Sequence, residues 1–223
     1  MSARRPFPAL AILLALLFLI DAAAMHAGLT YGMDHRLLAA LRRPDARHSL
    51  LGPAWDLKLL VGITTLGAAL IRTPLTIVAA LTLAQRGRGR DAGLLALAVA
   101  GGAILLPLLK ACFDRPRPDL IWHLVKETDF SFPSGHSMGS MILYPLLGLM
   151  LGLRSTPGVR RLLVAAGVLV ALTVGATRVI LGVHWASDVL GGWLIGGACA
   201  MLAAAYVRPN PRGRQDPRSS LRS

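Results

Sequence analysis

Six long apolar runs, each close to the roughly 20 residues that a helix needs to cross a bilayer, constrain this chain more than any other feature. They cover about residues 7–28, 66–85, 92–109, 134–153, 162–177 and 185–207. The expected fold is an all-α integral membrane protein, with about six transmembrane helices in one bundle. Composition agrees. Of the 223 residues, 54% are hydrophobic and 16% charged, and the mean hydropathy is +0.58, too apolar for an ordinary soluble domain. The length allows one compact membrane domain, set at residues 1–207. Residues 208–223, rich in Arg, Pro and Ser, are expected to be a disordered basic tail. Arg4, Arg5 and Ala22-Ala23-Ala24 also imitate a cleavable signal peptide, but the first run is read as a retained helix. A polar stretch, 29–58, follows it, and its last part from Trp55 is a candidate interfacial helix.

The net charge of +13 does not point to nucleic acid. Most Arg residues sit in short segments between runs, and no basic face with interleaved aromatics appears. An anionic membrane surface is the natural partner for that charge. The N-terminus, the 86–90 turn, the 154–161 turn and the tail carry about 13 Lys and Arg, against about ten on the opposite face. By the positive-inside tendency both termini are cytoplasmic, in a multi-pass protein of the inner cell membrane. Arg72 falls in the first third of its run and is read as snorkelling toward headgroups, with contact to a substrate as the alternative. Cys112 and Cys199 lie in separate runs and are read as small buried side chains, not as a disulfide or a metal pair.

Three polar fragments stand at the ends of apolar runs, all on the outward face. Lys110 and Arg117 offer a point charge and a planar fork, seven residues apart, with Pro116 bending the chain between them. Pro133-Ser134-Gly135-His136 opens a run and so marks a helix N-terminus. Ser134 suits the N-cap, Gly135 admits close approach of an anion, and the free N–H groups favour phosphate there. Arg178 and His184 bracket the turn before the last run. Asp188, four residues after His184, shares its helical face. A carboxylate bonded to one imidazole nitrogen fixes the tautomer and leaves the other nitrogen free to attack. Each fragment alone has a bland reading as a membrane anchor, a capped helix or a surface pair. Two His, several cations and an oriented carboxylate on one face are what metal-free phosphoryl transfer through a covalent His needs.

Lys110…Arg117-Pro118, Pro133-Ser-Gly-His136 and Arg178…His184…Asp188 together resemble the three-part signature of the type-2 phosphatidic acid phosphatase family. The resemblance spans about residues 67–207 and departs at Thr177, where the family usually has Ser before the Arg. It implies a membrane lipid phosphatase with its active site at the outer membrane–water interface. His184 would be the nucleophile that forms a phosphohistidine, Asp188 its orienting carboxylate, and His136 the general acid. Lys110, Arg117, Ser134, Gly135 and Arg178 would hold the phosphate. No metal and no cofactor is implied. Asp114, Asp119, Glu127 and Asp129 show no ligand spacing and are read as loop charges or partners of the nearby cations.

The expected substrate is a lipid phosphate whose tail stays among the membrane lipids. Undecaprenyl diphosphate, phosphatidylglycerol phosphate and phosphatidic acid all fit, and an outward site favours the first. A lipid phosphotransferase using the same site is the alternative. A non-enzymatic transporter would leave the His–Asp pair without a use.

Overall fold

The structure is a computed structural model, and it describes residues 6–43, 46–50 and 55–207. Arg4, Arg5 and the tail expected to be disordered, 208–223, lie outside the described residues. Eight helices follow in chain order: α1 (Phe7–His26), α2 (Tyr31–Ala40), α3 (Trp55–Thr65), α4 (Ala69–Gln85), α5 (Gly89–Phe113), α6 (Gly135–Leu151), α7 (Pro157–Ile180) and α8 (Ala186–Tyr206). Helices α1, α5, α6, α7 and α8 are each long and apolar enough to span a bilayer. The pair α3–α4, bent by 44° at the break between them, is long and apolar enough only when the two helices are taken together, which gives five spans or six among the described residues.

The bundle is inside-out relative to a soluble protein. Leu70, Leu97, Ile104 and Leu162 are exposed along its outer faces, where lipid replaces water. Helix α6 is the exception. Some 67% of its spanning window is buried, against 17% for α5, so α6 is the central post and its neighbours form the wall. Because α6 faces protein and not lipid, it tolerates Ser137 and Ser140, both fully buried.

Small residues set the close packing around α6. A Cβ at Gly148 would strike the Leu163 backbone of α7, and one at Gly167 of α7 would strike the Tyr144 backbone of α6. The contact is reciprocal, so the two backbones meet directly, as small-residue interfaces allow in membranes. Gly196 of α8 meets the Met138 backbone of α6 in the same way. Nearer the start of α8, a Cβ at Gly192 would strike the Ser134 carbonyl and the Ser137 side chain, so the starts of α6 and α8 also meet closely.

Several expectations change. The fold class is the all-α one expected, but the polar stretch 29–58 also holds α2 and a short antiparallel hairpin, β1 (Arg42–Arg43) with β2 (Ala46–Leu50). Helix α3 starts at Trp55, where a helix was expected; it packs on α7 and leads into α4 across the bend. Helix α5 runs four residues past 109 and takes Lys110 into its last turn. Helix α7 begins at Pro157, with the Thr156 hydroxyl accepting from the Val159 amide at 3.4 Å, and it runs on to Ile180. Cys112 is exposed on the outer surface and not buried, because its position in α5 faces away from the bundle. Cys199 is half-buried, and both thiols are free.

Candidate active site

Helix α5 ends with Asp114 in the left-handed region, at φ 44°. The chain then turns back across the bundle end through Arg115-Pro116-Arg117-Pro118. Lys110 is buried, and its ammonium meets the Asp129 carboxylate at 2.5 Å and the Phe130 carbonyl. Arg117 donates to the Asp129 carbonyl at 2.7 Å and the Val183 carbonyl at 2.6 Å, and pairs with the Asp129 carboxylate. It stands 3.8 Å from Glu127. Arg178, in the last turn of α7, is 2% exposed, donates to the Thr64 hydroxyl of α3 at 3.1 Å and pairs with Glu127. Two loop carboxylates thus bridge three cations from three different segments. Lys110, Arg117 and Arg178 therefore converge on one small volume. Burial works to raise the pKa of Asp129, but the hydrogen bonds and charges of Lys110 and Arg117 outweigh it and bring it down to about 2.

His184 sits between α7 and α8 and is 2% exposed. Its Nδ1 lies 3.2 Å from Asp188 Oδ2, and its Nε2 lies 3.1 Å from Arg117 Nη1. A guanidinium only donates, so Nε2 is the acceptor and the proton is on Nδ1, pointed at Asp188. Burial pushes the His184 pKa down to about 4. Asp188 opposes this through its hydrogen bond and charge, while Arg117 and Arg178 add to it. The ring is neutral at physiological pH, with the Nε2 lone pair facing the cation cluster.

Asp188 is held from every side. Its Oδ2 also accepts from the Trp185 amide at 2.8 Å and from the Ser131 hydroxyl, and its Oδ1 meets Arg115 at 2.5 Å. Arg115 reaches across to Asp34 of α2 at 2.8 Å, and Asp34 accepts from the Ser187 amide at 3.0 Å and hydroxyl at 2.6 Å. The backbone of Asp188 accepts from the Ser134 amide at 2.9 Å, which ties the start of α6 to the start of α8.

Ser134 is the N-cap of α6 and accepts from the Ser137 amide at 3.5 Å and hydroxyl at 3.1 Å. Its own hydroxyl is committed to capping; the amides of Gly135 and His136 are the donors left at this helix start. His136 is half-buried and lies within electrostatic reach of Arg178, His184, Arg72 and Arg117. Among the described residues, no group of three His, Cys, Asp or Glu side chains could hold a metal ion.

All eight site residues expected from the sequence thus gather at one end of the bundle. Four further groups belong with them: Arg115, Asp34, Glu127 and Asp129. Glu127 and Asp129 do partner the nearby cations, one of the two readings given to the loop acids. Arg115 lay in plain view inside the first fragment. Asp34 had no sequence signal, since it lies in a stretch without apolar periodicity. Arg72 departs from the snorkelling expectation. Its guanidinium turns inward against Gly139, where the absent side chain leaves room, and donates to the Gly67 carbonyl at 2.8 Å.

The PAP2 superfamily model matches residues 91–212. Phosphatidylglycerophosphatase B of Bacillus subtilis (strain 168) is 34% identical over 206 residues, covering 91% of this chain and 97% of that protein. The undecaprenyl-diphosphatase of Sulfolobus acidocaldarius is 35% identical over 86 residues, covering 39% of this chain and 38% of that one. Among solved structures, the transmembrane PAP2 type phosphatidylglycerolphosphate phosphatase from Bacillus subtilis superposes with a TM-score of 0.78 at 32% identity. That match covers 88% of this chain and 94% of the other.

Proposed function

Because the chain belongs to the PAP2 superfamily and is a membrane phosphatase, we propose that it hydrolyses a lipid phosphate or diphosphate through a phosphohistidine on His184. The observation that carries this reading is the orientation of that ring: Nδ1 3.2 Å from Asp188, Nε2 3.1 Å from Arg117 and aimed at the cations.

The steps follow from the groups present. A phosphate entering the cluster takes the place of Glu127 and Asp129 on Lys110, Arg117 and Arg178, and accepts from the Gly135 and His136 amides. Charge growing on its equatorial oxygens is met by donors already fixed in place. Arg117 Nη1 shifts from His184 Nε2 to a phosphate oxygen, which frees the lone pair. Nε2 attacks phosphorus, the P–N bond forms, and the P–O bond to the lipid breaks. His136 gives its proton to the leaving oxygen. Asp188 stabilises the cationic ring that results. Water then attacks the phosphohistidine, His136 takes its proton, the P–N bond breaks, and inorganic phosphate leaves.

The ring of exposed Leu and Ile keeps the protein in the bilayer, so the lipid tail has no need to leave it. The Lys and Arg distribution supports cytoplasmic termini and an extracytoplasmic site. Such a site suits a polyprenyl diphosphate such as undecaprenyl diphosphate; phosphatidylglycerol phosphate and phosphatidic acid are the other members of the class. No step requires a metal ion.

The test is phosphate release by the purified full chain from a panel of these lipids in detergent and EDTA, with His184→Ala as control. Release from at least one lipid, abolished in the variant, is expected. Turnover that needs added Mg²⁺, or that survives in His184→Ala, would overturn the reading.

A further inference from the structure

We propose that Arg72 is a specificity-determining residue that binds the leaving group when that group is itself a phosphate, which tunes the enzyme toward lipid diphosphates. The proposal rests on the phosphatase reading above.

Its ground is an imbalance of charge around the site. Lys110, Arg115, Arg117 and Arg178 each meet a carboxylate. Arg72 has no ion-pair partner among the described residues, and its only hydrogen bond as donor runs from Nε to the Gly67 carbonyl, so both Nη groups are unused. A cation inside an apolar bundle without an anion is costly, and in membrane proteins such a residue marks a substrate or ion path. The side chain is also held in place. A Cβ at Gly139 of α6 would fall inside the guanidinium, so the arginine lies flat against the helix backbone.

The position relative to His136 gives the charge a use. The Gly67 backbone that anchors Arg72 is the one His136 packs on: a Cβ at Gly67 would lie 2.9 Å from His136 Cδ2. Gly139 follows His136 by three residues, so Arg72 sits about one helical turn, or about 5 Å, further into the bundle. Its charge reaches His136. The general acid faces the leaving oxygen, and the lipid tail must pass from there into the hydrocarbon. Arg72 therefore stands where a leaving group that meets His136 can reach it.

The chemistry of that group then divides the substrates. In a polyprenyl diphosphate the leaving oxygen belongs to a second phosphate, whose negative charge would sit between His136 and Arg72. In phosphatidic acid the leaving group is a neutral diacylglycerol, which offers Arg72 no anion. A charge-assisted bond to the second phosphate would hold the diphosphate and stabilise the charge that builds on its bridging oxygen.

The experiment measures kcat/KM for undecaprenyl diphosphate and phosphatidic acid on purified wild-type, Arg72→Gln and Arg72→Lys proteins, in one detergent. Inhibition by inorganic pyrophosphate and by phosphate is read on the same samples. The diphosphate-to-phosphatidic-acid ratio should fall by about 10–100-fold in Arg72→Gln, the loss of a bond to a charged group, and recover in part in Arg72→Lys. Pyrophosphate should lose its advantage over phosphate as an inhibitor in parallel. A ratio and an inhibitor preference unchanged in Arg72→Gln overturn the proposal alone. Wild-type protein inactive on every lipid overturns the phosphatase reading and this proposal together.

Discussion

Arg115→Met is the perturbation that most sharply separates a supported nucleophile from an isolated one. The Arg115 side chain is 11% exposed and bridges two carboxyls that are fully buried, Asp188 at 2.5 Å and Asp34 at 2.8 Å. Removing one partner of a buried ion pair costs about 3–5 kcal/mol, chiefly because the other charge is left behind. Both carboxylates here keep other donors: Ser131, Trp185 and His184 for Asp188, and the Ser187 amide and hydroxyl for Asp34. The expected loss is therefore at the lower end, about 3 kcal/mol, or roughly 6–12 °C in apparent Tm for a protein of this size. Activity should fall about 10–100-fold, as when an orienting partner behind a reactive group is removed, because Asp188 loses the contact that turns Oδ2 toward His184. Adding Asp34→Asn removes one of the stranded charges. The double variant should then recover about 1–2 kcal/mol relative to the sum of the single changes. Thermal unfolding in detergent reads the stability, and phosphate release reads the activity. Additive losses, or an Arg115→Met protein as stable and active as wild type, would refute the idea that this arginine neutralises both acids.

Three further outcomes follow from the same site. With His184 brought to about pKa 4 by burial, kcat/KM of the free enzyme should rise from the acid side with an inflection near pH 4, and a rate that does not change through that range would count against His184 as the attacking group. The same depression means that the unfolded chain, with an ordinary His, takes up the proton first, so the apparent Tm should decline as pH drops from about 6.5 to about 4. Asp129→Asn removes a carboxylate that competes with phosphate for Lys110 and Arg117. Because the Asp129 side chain is 58% exposed, the competition is worth no more than about 1 kcal/mol. The inhibition constant of inorganic phosphate should therefore fall by up to about fivefold, and an unchanged constant would show that Asp129 does not compete with phosphate.

Much of this site was legible in the chain itself, and the reason is local. Ser134, Gly135 and His136 are adjacent. His184 and Asp188 are four residues apart across the start of α8, and Lys110 and Arg117 flank the end of α5, so each fragment carries its chemistry in its own spacing. Hydropathy then brings the fragments to one face. Asp34 was out of reach because its bond to Ser187 spans 153 residues and α2 has no apolar stripe. Arg115 differs from Arg117 in what it faces, a fact of tertiary packing that two arginines flanking a proline do not reveal. Helix ends erred where caps were overlooked. Thr156-Pro157 was a readable start for α7, yet apolarity alone placed the start five residues later. Arg72 was misplaced because a charged residue near a membrane edge has two ways to turn, and a glycine on another helix decided between them.

The central claim is that phosphorus passes through a covalent bond to His184. Rapid quenching of the enzyme during turnover of a ³²P-labelled lipid phosphate, followed by peptide mapping, tests it directly. An acid-labile, alkali-stable label on the peptide that contains His184, absent from His184→Ala and formed more slowly in Asp188→Asn, is the predicted result. Turnover at full rate with no label on protein, or a label on His136 instead, would contradict it.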